Sequence, residues 1–193
     1  MKLKLRAFPI FAVSFVIASV VLAATRTPFA RFEPTPPEIV NAMLELAEVK
    51  PTDVVYDLGS GDGRVVIMAA EKFGARGVGV EINRDLVRLS QAAARKAGVS
   101  NRVRFIRKDL FDADIRNASV VTLYLLPQVN LQLRPKLLRD LRPGVRIISH
   151  NHNMGDWEPE RTIEVTDANG RIHRVHLWTV PPRKDQPPMA GSR

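Results

Sequence analysis

The chain has 193 residues, 45% apolar and 25% charged, enough for one domain with a substantial core. It has no cysteine, which excludes disulfides, thiolate metal sites and cysteine nucleophiles. Its net charge of +9 favours acidic partners, but no long Lys/Arg run or aromatic–basic interleaving marks a nucleic-acid surface, so nucleic acid is not an expected partner.

Lys2, Lys4 and Arg6 precede an uncharged stretch, residues 7–24, AFPIFAVSFVIASVVLAA. As a helix these eighteen residues span about 27 Å, near the thickness of a bilayer core. Three readings fit: a membrane anchor, a signal segment cleaved near Ala23, and a buried helix. The basic head favours a cytoplasmic N-terminus, which would send the rest outward. Residues 25–34 form a Pro-rich linker, and the main domain is expected over 35–181.

The domain opens on a helix start. Thr35 reads as its N-cap, Pro36 as its first residue and Glu38 as the partner in a capping box. Ile39, Val40, Met43, Leu44 and Ala47 then recur at helical spacing. DVVYDL reads as a buried strand, and Arg64 to Phe73 as a helix stopped by Gly74. RGVGVEI is a second strand, and Asp85 to Ala97 a helix stopped by Gly98. RVRFIRKD is a third strand and SVVTLYLL a fourth, followed by a helix ending near Leu141. VRIISH is a fifth strand. RTIEVTD and RIHRVHLWTV flank DANG as a hairpin, with Gly170 suited to a positive φ. The polar, Pro-rich residues 182–193 read as a disordered tail. The alternation predicts an α/β fold: a Rossmann-like open sheet of about seven strands, mostly parallel, with an antiparallel C-terminal hairpin and helices on both faces.

The turn after the first strand carries the chemistry. It reads Asp57-Leu58-Gly59-Ser60-Gly61-Asp62-Gly63-Arg64, and it falls at the carboxyl edge of the sheet, where open α/β folds bind ligands. A dinucleotide fingerprint would place a third glycine where Arg64 stands, and the Asp57 carboxylate would repel a pyrophosphate. Asp57 suits a locally cationic ligand, such as the amino-acid end of S-adenosylmethionine. Glu81, at the end of the second strand, is placed to bond both hydroxyls of a ribose. Asp109, at the end of the third, is placed to accept from an adenine amino group. Ile82 and Leu110, beside these two acids, complete the expected nucleoside pocket.

EPTPPEIV, DLGSGDGRVVI, GVGVEIN and LYLLPQVNLQLRPKL together resemble the class I, seven-strand methyltransferases, over about residues 33–181. They are similar, more narrowly, to the archaeal and mitochondrial protein-lysine methyltransferases, including those acting on the ATP synthase c-subunit and the adenine nucleotide translocase. The resemblance implies S-adenosylmethionine as cofactor and a protein lysine as methyl acceptor. Asp57, Gly59, Gly61 and Gly63 would surround the methionine moiety, with Glu81 at the ribose and Asp109 at the adenine. Thr35 and Glu38 would help close the site. The loop Leu125 to Gln128 would line the acceptor channel, making Tyr124, Pro127 and Gln128 the catalytic candidates. The loop departs from the Asn-Pro-Pro-Tyr form of many amino methyltransferases. The alternatives are a small-molecule or RNA methyltransferase and a membrane protein that binds the cofactor without turnover.

SHNHNMGDW, residues 149–157, is unusually polar. His150 and His152 share a face if the strand continues, as an acceptor-site wall, a metal pair or a structural hydrogen-bond cluster. No third metal ligand stands at a recognisable spacing, so no metal is expected. The cofactor is cytoplasmic, so the expected arrangement is an anchor at residues 7–24 with the domain facing the cytoplasm. Export after cleavage near Ala23 is the alternative.

Overall fold

The computed structural model describes residues 32–183. The anchor or signal reading of residues 7–24 lies outside the described residues, as does the expected tail 182–193 apart from Pro182 and Arg183. Among the described residues no helix is long and apolar enough to cross a membrane.

The β-branched runs become strands and the glycine stops end helices where the pattern places them. In chain order the elements are α1 (Pro37–Leu46), β1 (Val54–Leu58), α2 (Arg64–Phe73), β2 (Arg76–Glu81), α3 (Arg84–Lys96), β3 (Val103–Arg107), β4 (Val120–Leu123), α4 (Pro127–Asp140), β5 (Arg146–His150), β6 (Arg161–Thr166) and β7 (Ile172–Thr179). A single 3-10 turn, Leu110–Asp112, follows β3. The seven-stranded sheet has the order β3-β2-β1-β4-β5-β7-β6. β1 to β5 are parallel, and β7 pairs antiparallel with both β5 and β6. This is the expected Rossmann-like sheet with its C-terminal hairpin.

Alternate residues of each strand face opposite layers. Val55 of β1 joins a core with Ile39, Val40 and Met43 of α1 and Val65 and Val66 of α2. Tyr56 and Leu58 join a second core on the other face, with Leu133 and Leu137 of α4. Helices therefore cover both faces, which leaves the carboxyl edge of the parallel strands open for a ligand.

Two local expectations are corrected. The capping box is absent: Pro36 is the N-cap of α1, Pro37 takes the first helical position, and no side chain caps the helix. The residue before a proline is pushed into an extended conformation, so Pro37 sets the boundary one residue later. Pro36 also has no N–H for Glu38 to receive. Asp109 does not end a strand. It stands two residues past β3 as the N-cap of the 3-10 turn, accepting from the Phe111 amide at 2.9 Å.

Candidate active site

A cavity of about 560 Å³ opens at the carboxyl edge, between the glycine turn, the ends of β1, β2 and β4, and the segment 32–35 that crosses in front of α1. The turn explains its three glycines. Gly59, Gly61 and Gly63 all have positive φ, +86°, +52° and +83°. A Cβ on Gly63 would lie 2.5 Å from the Phe105 ring and 2.8 Å from Ser90 Cβ, so this position has neither the conformation nor the room for a side chain. The turn is tied to β2 by the Gly59 and Ser60 amides, which donate to the Val80 carbonyl at 2.9 and 3.0 Å.

Glu81 ends β2 as expected, and it does more than face the cavity. One carboxylate oxygen accepts from the Gly61 amide at 3.0 Å and the other from the Asn83 amide at 2.8 Å. Each oxygen keeps a second lone pair for a ligand hydroxyl. Asp57, on β1, accepts from the Thr122 hydroxyl of β4 at 2.7 Å. Burial pushes its carboxyl up to about 7, and the nearby Asp62 and Glu81 carboxylates add to this. Ser60 Oγ is buried in the cavity wall with no partner. A buried acid of raised pKa beside an orphaned hydroxyl fits a cationic, hydrogen-bonding ligand, as the amino-acid end of S-adenosylmethionine is.

The structure brings together Asp57, Gly59, Ser60 and Thr35 with Glu81 and Ile82 around this one cavity, and Asp109, Leu110 and Tyr124 line it too. Gly61 and Gly63 build the turn without lining the cavity. Glu38 is exposed on α1, and Gln128, in the first turn of α4, is exposed as well. Neither lines the cavity, nor does Pro127. Leu125 does, and so do Val129 and Gln132, three residues apart on one side of α4, beside its buried face of Asn130, Leu133 and Leu137.

Sequence reasoning missed how the segment 32–35 is held. The Arg64 guanidinium pairs with Asp62 and donates to the Thr35 carbonyl at 2.9 Å, joining that segment to the glycine turn. Phe32 lies against Gly61, and Glu33 also lines the cavity. Arg64, read only as a departure from the dinucleotide fingerprint, was the available signal.

The strand does not continue past His150: Asn151 has φ +61° and the chain turns. Even so, His150 and His152 both lie near Tyr124, with ring centroids 3.9 and 6.2 Å away, the first tilted and the second stacked. Burial first, then the Glu33 carboxylate, holds the Tyr124 hydroxyl above its ordinary pKa, so it is neutral in the working range. Among the described residues no group of three His, Cys, Asp or Glu side chains could hold a metal ion.

A family model for the ANTKMT methyltransferase domain matches residues 57–161, more than half of the chain. The chain belongs to this family. A protein-lysine N-methyltransferase of Saccharolobus islandicus is 43% identical over 154 residues, 79% of this chain and 95% of that protein. The adenine nucleotide translocase lysine N-methyltransferase of Mus musculus is 38% identical over 130 residues, 66% of this chain but 56% of its own length. A crystal structure described as an RNA methyltransferase of Salinibacter ruber, in complex with S-adenosyl-L-homocysteine, is 51% identical. It superposes with a TM-score of 0.73 and covers 83% of this chain and 100% of its own. This ANTKMT-family chain is an S-adenosylmethionine-dependent methyltransferase.

Proposed function

We propose that the methyl acceptor is the side-chain amine of a protein lysine. The observation that carries this is the Glu33 carboxylate on the cavity wall, close enough to Tyr124 and His152 to act on the charge of both. An anion at the mouth attracts an ammonium and repels a phosphodiester. The names of the archaeal and mouse relatives support the same class of acceptor.

The bound cofactor supplies an activated methyl on a sulfonium, with a neutral leaving group. The chain's own residues have three tasks. Asp57 and Ser60 hold the amino-acid end, and Glu81 and Asp109 hold the nucleoside. Tyr124 and Leu125 wall the approach of the acceptor, whose amine must shed its proton before attack. Glu33 attracts the ammonium at the entrance, and deeper in, desolvation by the apolar wall lowers its pKa so that the proton leaves to solvent before attack. Positioning in a water-poor channel is the main source of rate.

A second reading, an RNA acceptor, is favoured by the description of the Salinibacter ruber relative. Transfer of tritiated methyl from S-adenosylmethionine into lysate separates the two. Label is expected to disappear on protease treatment and to survive ribonuclease. Label that survives protease and is lost to ribonuclease overturns the lysine reading.

We further propose that residues 7–24 tether the enzyme to a membrane with the domain on the cytoplasmic side. The uncharged stretch and the cytoplasmic supply of the methyl donor support this. C-terminal fusions test it: green fluorescent protein is expected to be bright and alkaline phosphatase inactive, and the reverse pattern refutes the placement.

A further inference from the structure

A chain of hydrogen bonds, partly buried at its outer end and buried at its inner end, runs from the β6–β7 turn to the wall of the cavity. Asp167 Oδ2 lies 3.3 Å from His173 Nε2. His173 Nδ1 lies 2.9 Å from His150 Nε2, and His150 Nδ1 lies 3.2 Å from Thr35 Oγ1. The four residues come from the hairpin turn, β7, the end of β5 and the segment before α1. Thr35, His150 and Asp167 are buried, His150 completely. At its inner end the chain touches both sides of the site. The Tyr124 ring lies against the His150 imidazole, and the Thr35 carbonyl accepts from Arg64 of the glycine turn.

One assignment of protons satisfies every atom in this network. Asp167 Oδ1 accepts from the Arg171 and Asn169 amides at 2.8 and 2.9 Å, and the Arg171 amide above all holds this carboxyl below its ordinary range. An ionised carboxylate can only accept, so His173 carries a hydrogen on Nε2. Its Nδ1 faces two donors, His150 Nε2 and the Asn151 side-chain NH2 at 3.5 Å, the latter turned this way because Asn151 Oδ1 accepts from the Arg174 amide at 2.8 Å, so Nδ1 presents a lone pair. His150 Nε2 must then donate. Burial, with His173 and His152 nearby, lowers His150 to about 3, so its ring is neutral and Nδ1 accepts. The Thr35 hydroxyl donates to it. The Asp167 carboxylate at one side of His173 and the Asn151 NH2 at the other thus set the direction of every bond as far as the cavity.

We propose that Asp167, His173 and His150 are positioning residues for methyl transfer, which through this one chain fix the Thr35 hydroxyl and the Tyr124 ring at the acceptor side of the cavity. The proposal rests on methyltransferase activity and not on the lysine acceptor.

Asp167→Asn tests it at constant size. The amide oxygen can stay on the turn amides, which places an NH2 where Oδ2 stood. That NH2 donates to His173 Nε2, the Asn151 NH2 gives way to the new His173 Nδ1–H, and each bond reverses until His150 Nδ1–H faces Thr35 Oγ1. Nitrogen-15 NMR of the imidazoles reads the tautomers, calorimetry reads cofactor affinity, and release of S-adenosylhomocysteine is followed over a titration of total cell protein. The expected result is reversed tautomers, cofactor affinity within about twofold, and a maximal rate about tenfold lower at similar half-saturation. Thr35→Val should lower the rate likewise, and Thr35→Ser should recover most of that loss. Wild-type maximal rate in Asp167→Asn overturns the proposal, as do unreversed tautomers, a reading that needs no acceptor. A rate loss that follows a lower melting temperature, with Thr35→Val fully active, also overturns it, by assigning the chain to stability alone. The wild-type rate on cell protein separately tests the acceptor reading.

Discussion

Replacing Asp57 by asparagine is expected to stabilise the cofactor-free enzyme above neutral pH while removing cofactor binding. Burial raises this carboxyl from 3.8 to about 7 in the folded chain. Below 3.8 the acid is neutral in both states and costs nothing. As pH rises from there through about 7, the unfolded chain ionises first and stability is lost. Three pH units correspond to about 4 kcal/mol of opposed charge at about pH 8. Asparagine keeps an oxygen for the Thr122 hydroxyl and carries no charge, though its NH2 gives back part of the gain. A net gain of about 2 kcal/mol corresponds to a melting temperature roughly 5 °C higher. Scanning calorimetry at about pH 8 and about pH 4 checks the sign, because the difference should vanish where the wild-type acid is already protonated. Asparagine less stable than aspartate at both pH values would contradict the account. In the wild type, cofactor affinity should fall as pH drops below about 7, since the cation must then displace a proton. The site holds a destabilising charge that the cationic ligand relieves, so stability and function oppose each other at one residue.

What the sequence made legible was local. α2 begins at Arg64 and ends at Phe73 as read, because Gly63 and Gly74 both take left-handed conformations and leave no choice of boundary. Asp57 and Glu81 were legible for a related reason: a carboxylate beside a glycine turn and one at the end of the next parallel strand must meet at the same edge. Local reasoning failed where proline or distance decided. Pro37 moved the start of α1 and removed the capping box. On α4, which Pro127 opens, Gln128 misses the cavity while Val129 and Gln132 line it, because the depth of the cavity along the helix is set by the segment 32–35 and not by the helix alone. The contact between Thr35 and His150 joins residues 115 positions apart, and no pattern in either segment announces it. The polar run SHNHNMGDW signalled that something had to satisfy those side chains, while its partners, Thr35, His173 and Asn130, come from three other parts of the chain.

Glu81→Ala should raise the cofactor dissociation constant by about two to four orders of magnitude by isothermal titration calorimetry. Two ribose hydroxyls bonded to a carboxylate are worth about 1.5–3 kcal/mol each, and about 1.4 kcal/mol is tenfold in affinity. The loss includes the turn, because the same carboxylate holds the Gly61 and Asn83 amides and so sets the shape of the loop that receives the ligand. The Asn83 amide borders the open cavity where water can reach it, and one buried amide, that of Gly61, loses its acceptor, so the fold should survive with a melting temperature a few degrees lower. Glu81→Asp, one methylene shorter, cannot hold both amides and also reach the ribose, and should fall between the two. An unchanged dissociation constant in Glu81→Ala would remove the ribose assignment. The fragment 5′-methylthioadenosine separates the two acids, because it has the nucleoside and lacks the amino-acid end. Glu81→Ala should lose affinity for the fragment as it does for the whole cofactor, whereas Asp57→Asn should bind the fragment nearly as the wild type does. Equal losses in both variants would mean that the carboxylates act together on the shape of the turn and do not read separate parts of the ligand.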